Sequence, residues 1–290
     1  MLGLGLIGGS VARAAVRAGM DVRAWTPSGA GPRRAAADGI EPAATLLAAL
    51  VDADLVVVAA PPLAALELVD ELGALAAHAL PAGAVVTDVV STKVAIVERA
   101  RAAGLRFVGG HPLAGRETSG YAASDPDLVR DRPWVIVPPE PADDDAEARV
   151  AALAAACGAR TIRMSAADHD RAVATISHLP LLLSAALAET AAAGPDWTAA
   201  RALAAGGWAS MTRLARGDPE MGAGILATNA AEVADRLRAL AATLDGWSAD
   251  LAGPDAADRL RERLDHARTV LGDAEGAAGD RAGDATGARG

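Results

Sequence analysis

Aromatic residues are scarce in this chain: five Trp, one Tyr and one Phe make up 2% of 290 residues. Cores must therefore be assembled from Ala, Leu and Val, and 52% hydrophobic content is enough for two domains. Cysteine is nearly absent as well. The single Cys157 excludes a disulfide within the chain and reads as a small buried hydrophobe rather than a nucleophile. No Cys/His cluster has metal-ligand spacing, so no metal is expected. Basic residues are outnumbered, 27 against 37 acidic ones, and the formal charge of −10 argues against nucleic acid or an anionic membrane as partner. No apolar run reaches the roughly 18 to 20 residues of a membrane span and no secretory leader is visible, so a cytoplasmic protein is expected. Lysine is the rarest charged residue. Lys93 stands alone among 27 basic residues, the rest being Arg. It is a candidate for work that a guanidinium cannot do, with chance survival as the alternative.

What is present in the first half is alternation. "DVRAW" (21–25), "ADLVVVAA" (53–60), "AVVTDVV" (84–90), "LRFVGG" (105–110) and "PWVIVP" (133–138) read as Val-rich strands bounded by Gly, Pro or Asp. Helical patterns such as 62–80 and 92–104 separate most of them, which predicts a mostly parallel, doubly wound sheet. "ARTIRM" (159–164) is expected to return to the sheet edge. After residue 165 strand signals stop. "SAAD" (165–168) opens a helix with a capping pattern, Pro180 should kink or interrupt it, and further helices are expected near 196–216, 218–245 and 254–271. Several of these carry apolar residues on more than one face, so a homodimer through the helical half is expected. The expected division is a Rossmann-type α/β domain over 1–164, an all-α domain over 165–272, and an aperiodic, disordered tail over 273–290.

"GLGLIGGS" (3–10) places Gly3, Gly5 and Gly8 in G-x-G-x-x-G spacing, with Leu6 and Ile7 opening a helix behind them. Such a turn lets backbone approach a pyrophosphate and aims a helix N-terminus at it, so a dinucleotide is the expected cofactor. Only Met1 and Leu2 precede Gly3, so the first strand is either truncated or starts upstream. Where NAD-preferring sites carry an acid, about 20 residues on, this chain has Thr26, followed by Ser28, Arg33 and Arg34. That pattern favours the 2′-phosphate of NADP over NAD, unless the arginines are only a solvated helix start.

In an open parallel sheet, ligands bind beyond the carboxyl ends of the strands. Three such ends carry Pro61 and Pro62, Ser91 with Lys93, and His111 in "GGHPLAGRETSG" (109–120). His111, between a Gly-Gly pair and a proline, is expected in a loop, where nicotinamide and substrate would meet. His178 in "SHLP" alone would pass for a core histidine, and Arg213 for a solvated arginine.

Together, "GLGLIGGS", "TDVVSTK", "HPLAGRETSG", "HDRAVATISHLP" and "MTRLARGDPEM" occur in the order and spacing of the prephenate and arogenate dehydrogenase family of tyrosine biosynthesis. The chain resembles that family from residue 1 to about 245. The resemblance implies a Rossmann-type domain, a helical dimerisation domain, and oxidative decarboxylation of a cyclohexadienol with NADP or NAD. Carried over by motif, His111 is the catalytic histidine and Ser91 its partner on the substrate hydroxyl. Arg213 binds the substrate carboxylate, His178 and Glu117 line the pocket, and Lys93 is placed among the substrate contacts. Two positions depart from the family pattern: Leu181 stands where many members have a second histidine, as in arogenate-using members, and Ser210 where an acid often stands. An appended mutase or regulatory domain is not expected. The rival readings are a hydroxyacid or imino-acid reductase, which would often place a Lys in the helical half, and a catalytically silent dinucleotide sensor.

Overall fold

A computed structural model describes residues 1–116 and 118–284. The chain packs as two compact units, the first Met1–Ala234 and the second from Asp235 onward. In the first unit the Val-rich runs form a five-stranded sheet in the order β3-β4-β5-β6-β7: β3 (Leu55–Val58), β4 (Val85–Asp88), β5 (Phe107–Pro112), β6 (Pro133–Val137) and β7 (Arg160–Arg163). Neighbours pair in parallel except β5 with β6, where Gly110 faces Ile136 and His111 faces Val135. A parallel pair, β1 (Arg23–Ala24) and β2 (Glu41–Pro42), lies beyond. Residues 1–3 join the two sheets: Leu2 N donates to Val57 O (2.8 Å), Ala59 N to Leu2 O (2.7 Å) and Gly3 N to Trp25 O (2.9 Å). Leu2 thus holds the central strand position as a bridge to both Trp25 and Val58.

Side chains alternate along each strand, so both faces need cover. Val56, Val58 and Val86 pack with α3 (Leu46–Leu50), α4 (Pro62–Ala79) and α5 (Val94–Ala102). Val57, Val85 and Val108 pack with α1 (Leu6–Arg17) and α6 (Asp144–Ala156), with Cys157 at 0% exposure among them. Burial pushes the Cys157 thiol up to about 12, so it is the inert hydrophobe expected. Helix α2 (Ala30–Ala35) follows β1.

Ser165 caps α7 (Ala166–Val173) by accepting from Asp168 N at 3.0 Å, as "SAAD" predicts. Pro180 does not break the chain of turns that follows. A π-helical turn, Ala174–His178, absorbs the missing amide, and α8 (Leu179–Ala193) continues with Pro180 in its first turn. The continuous helix Ala166–Ala193 has the length and composition to cross a membrane, a stretch that apolar-run counting missed because polar residues interrupt it. The expected 196–216 helix is divided into α9 (Trp197–Ala202), α10 (Gly206–Met211) and a 3-10 turn, Leu214–Arg216. The expected 218–245 helix is split by Asn229 into α11 (Pro219–Thr228) and α12 (Ala230–Leu251). In the second unit α13 spans Ala256–Asp284, so the helix runs past Gly272 where a disordered tail was expected. Residues 285–290 of that tail lie outside the described residues.

Candidate active site

The glycine turn is built for a close approach. Gly3 has φ +103°, and a Cβ there would lie 2.3 Å from Ala59 O; one on Gly8 would lie 2.5 Å from Gly3 O. A Cβ on Gly5 would meet no protein atom within 4 Å, so the space before the α1 N-terminus is open. No side chain caps that terminus, which leaves the amides around Leu6, Ile7 and Gly8 to an anion. At the end of β1, Gly29 N donates to Thr26 O (3.0 Å), closing a turn through Ser28. The Thr26 hydroxyl there is buried and has no hydrogen-bond partner. Arg33 folds back over this turn, its Nη2 3.4 Å from Ser28 O. An open glycine cradle, uncapped amides and an orphaned hydroxyl beside an arginine fit a phosphate-bearing dinucleotide. Pro61 caps α4 at the end of β3, and Pro62 beside it would touch a Cβ on Gly224 of α11 at 3.2 Å. This contact brings the helical segment to the strand ends.

His111 is in a strand, not a loop. Its β5 partners are backbone, and Gly109 and Gly110 precede it because there is no room for a side chain rather than because the backbone must turn. A Cβ on Gly110 would sit 2.5 Å from Asp88 O, and Gly110 N donates to Asp88 Oδ1 at 3.0 Å. Neither glycine has a positive φ.

Lys93 also requires correction. Its side chain is 0% exposed and its ammonium is ion-paired with Asp88, likewise 0% exposed. Burial pushes the Asp88 carboxyl up and the Lys93 ammonium down, each opposed by the other's charge and, for Asp88, by amides of Gly110 and Val90. The lone lysine, read from the sequence as a substrate contact, is spent in a core ion pair.

His111 Nδ1 lies 2.8 Å from Nε2 of His169, and His169 Nδ1 lies 2.7 Å from Asp170 Oδ1. The carboxylate is held in turn by the backbone amides of Lys93 (2.7 Å to Oδ1) and Val94 (2.8 Å to Oδ2) at the start of α5. Burial, then the neighbouring His169, Lys93 and His178, holds His111 well below the usual histidine range, so its ring is neutral near pH 7. His178, in the π turn, receives Asn229 Nδ2 at 3.1 Å on Nδ1, while Nε2 is buried with no partner. Burial lowers His178 to about 4. Asn229 Nδ2 also donates to Asp170 O at 2.8 Å. Thr92 and Thr228 hydroxyls, 2.8 Å apart, tie the end of α11 to the same segment.

The structure thus brings His111 and His178 into one buried cluster. Ser91 follows β4 and is partly exposed. Arg213 is exposed in the turn before Leu214–Arg216, which is tied to α8 by Ala215 N donating to Ser184 Oγ at 3.0 Å. Glu117 lies outside the described residues. Three further residues of the cluster, His169 and Asp170 in "HDRAVATISHLP" and Asn229 beyond it, are not among the residues expected from the sequence. The available signal was the pattern of α7, where His169 and Asp170 share the buried side with Val173, so a polar pair occupies apolar positions.

Fold and glycine cradle define a dinucleotide-binding protein. Residues 12–163 match the nucleotide-binding domain of prephenate dehydrogenase and residues 165–266 its dimerization domain. The chain belongs to the prephenate dehydrogenase family. It is 30% identical over 248 residues to prephenate dehydrogenase of Bacillus subtilis, covering 81% of this chain and 65% of that protein. It therefore spans just under two thirds of that curated relative's length. Among solved structures it is similar to Synechocystis arogenate dehydrogenase (TM-score 0.76, 29% identity, 93% of this chain and 98% of that one). It is also similar to prephenate dehydrogenase from Aquifex aeolicus in complex with hydroxyphenyl propionate and NAD+ (TM-score 0.83, 25% identity, 94% and 96%).

Proposed function

We propose that this chain catalyses the oxidative decarboxylation of a cyclohexadienol, arogenate or prephenate, in tyrosine biosynthesis. The carrying observation is a neutral imidazole, His111, held at the end of β5 in the same first unit as the glycine cradle, with Nε2 unoccupied by any hydrogen bond among the described residues. A bound nicotinamide dinucleotide supplies the hydride acceptor. His111 Nε2 accepts the proton of the ring C4 hydroxyl as hydride leaves C4, and Ser91 contacts the same hydroxyl. Breaking the C1–carboxylate bond then releases carbon dioxide and the ring becomes aromatic, so the protein's task is positioning plus one base. Arg213 grips a substrate carboxylate and His178 donates Nε2–H into the pocket, with Glu117 as a further lining residue.

Gly3, Gly5, Leu6, Ile7 and Gly8 take the pyrophosphate, while Pro61 lies beside the nicotinamide end. Thr26, Ser28 and Arg33 take the adenosine ribose. NADP is favoured over NAD because no carboxylate stands at the end of β1 and Arg33 leans over that turn. Arogenate is favoured over prephenate because Leu181 offers no donor to a keto acid and its side chain faces Gly222 of α11.

The division into a nucleotide-binding domain (1–164) and a helical domain (165–272) is retained, with the latter forming a homodimer in the cytoplasm. Support comes from α8, in which only Ser184 is fully buried although 11 of its 15 residues are Leu or Ala. A helix that carries the buried His169, Asp170 and His178 is better covered by a second copy than by lipid. The test is reduction of NADP+ or NAD+ with each substrate, followed by near-ultraviolet absorbance, with identification of tyrosine or 4-hydroxyphenylpyruvate as product. Failure with both substrates and both cofactors overturns the proposal.

A further inference from the structure

Asp170 is the common root of two hydrogen-bond chains. Its side-chain oxygens only accept: from His169 Nδ1, from Lys93 N and from Val94 N. With a neutral ring, His169 therefore carries its proton on Nδ1 and presents Nε2 as a lone pair. Facing that lone pair at 2.8 Å, His111 Nδ1 must be the protonated nitrogen, which leaves its Nε2 an acceptor. The backbone oxygen of Asp170 can also only accept, and this fixes which way the Asn229 amide points. The second proton of the same NH2 group then meets His178 Nδ1, so His178 carries its proton on Nε2, the atom that is buried with no partner. An unpaired buried N–H carries the desolvation penalty of a lost hydrogen bond, which a ligand acceptor would remove.

We propose that Asp170, acting through His169 and Asn229, gives the two site histidines opposite tautomers, so that one dienol substrate meets a lone pair at His111 and an N–H at His178. His169 and Asn229 are positioning residues on this account, and the inference rests on the proposed role of His111 as base. The logic resembles a buried acid orienting a catalytic histidine, with a second imidazole inserted between them.

The test uses the full chain and reads the tautomer directly, by long-range ¹⁵N–¹H correlation of the imidazoles assigned with His111→Asn and His178→Asn. Wild-type protein without substrate is expected to show His111 protonated on Nδ1 and His178 on Nε2. In His169→Ala, His111 should lose the Nδ1–H signature and kcat should fall about 10- to 1,000-fold with KM little changed. His169→Gln, whose carbonyl can still accept from His111 Nδ1, should keep the signature and recover part of the turnover; it also serves if the alanine variant folds poorly. An Nδ1–H signature that survives in His169→Ala overturns the inference. A lost signature with unchanged kcat overturns instead the base role of His111 on which it rests.

Discussion

Two buried polar clusters share the segment from Asp88 to Val94, and they end differently. The Asp88–Lys93 pair is closed: both charges are fully buried, each answers the other, and Gly110 and Val90 amides complete the carboxylate. The Asp170–His169–His111 chain is open, because its last nitrogen has no protein partner among the described residues, and the companion chain through Asn229 ends on an orphaned His178 Nε2. Both clusters contain titrating groups shifted by burial. Burial and a shifted titration alone therefore do not mark function; an unused valence aimed at a ligand space does. Lys93, the single lysine of the sequence, belongs to the closed cluster, and His169, which nothing in the composition singles out, belongs to the open one.

The largest effect expected from breaking the closed cluster is on stability. Lys93→Met leaves Asp88 buried without its cation and should cost about 3–5 kcal/mol, read as a fall in denaturation midpoint. Replacing Asp88 by Asn in the same chain should restore part of it, since the uncompensated charge is gone. Arg213→Ala should act on the open side, raising substrate KM roughly 10- to 100-fold with a smaller effect on kcat, and Arg213→Lys should recover only part. Steady-state kinetics distinguish this from a folding defect.

Acid separates the clusters again. His178 ionises at about 4 in the folded chain against 6.5 for an unperturbed histidine. Above pH 6.5 neither folded nor unfolded His178 is charged; between 6.5 and about 4 only the unfolded chain takes up the proton. Stability should therefore fall as pH is lowered through that window, by an amount of order 1–3 kcal/mol. His111 is shifted in the same direction, so the acid limb of kcat/KM should lie below the usual histidine range. A denaturation series across pH and a pH–rate profile measure the two. The smallest effect is expected at the cofactor end: Arg33→Ala should raise the KM for NADP about 3- to 10-fold and leave that for NAD unchanged. Equal changes for both would place Arg33 away from the 2′-phosphate.

The same contrast explains what could be read beforehand. Val-rich runs bounded by Gly and Pro located the sheet, because strands buried on both faces need little else, and the glycine spacing located the cradle. "GGHP" reads as a loop because glycine serves both turning and close approach; the crowding of Gly110 against Asp88 and the lack of a positive φ at either glycine tell the two apart. Pro180 was expected to interrupt a helix that a π turn carries through. Asn229 was invisible because its role depends on a break between α11 and α12 and on partners 51 and 59 residues away in sequence. Pairings at such separation leave no local pattern.

The most direct test of the account is the turnover of His111→Asn, with its thermal midpoint measured alongside. Asparagine keeps a hydrogen-bonding group at the end of β5 but cannot take up the proton of the dienol hydroxyl. The account predicts a kcat lower by about 10²- to 10⁴-fold, KM little changed and a midpoint close to wild type. Near-full turnover in a folded His111→Asn protein would contradict it.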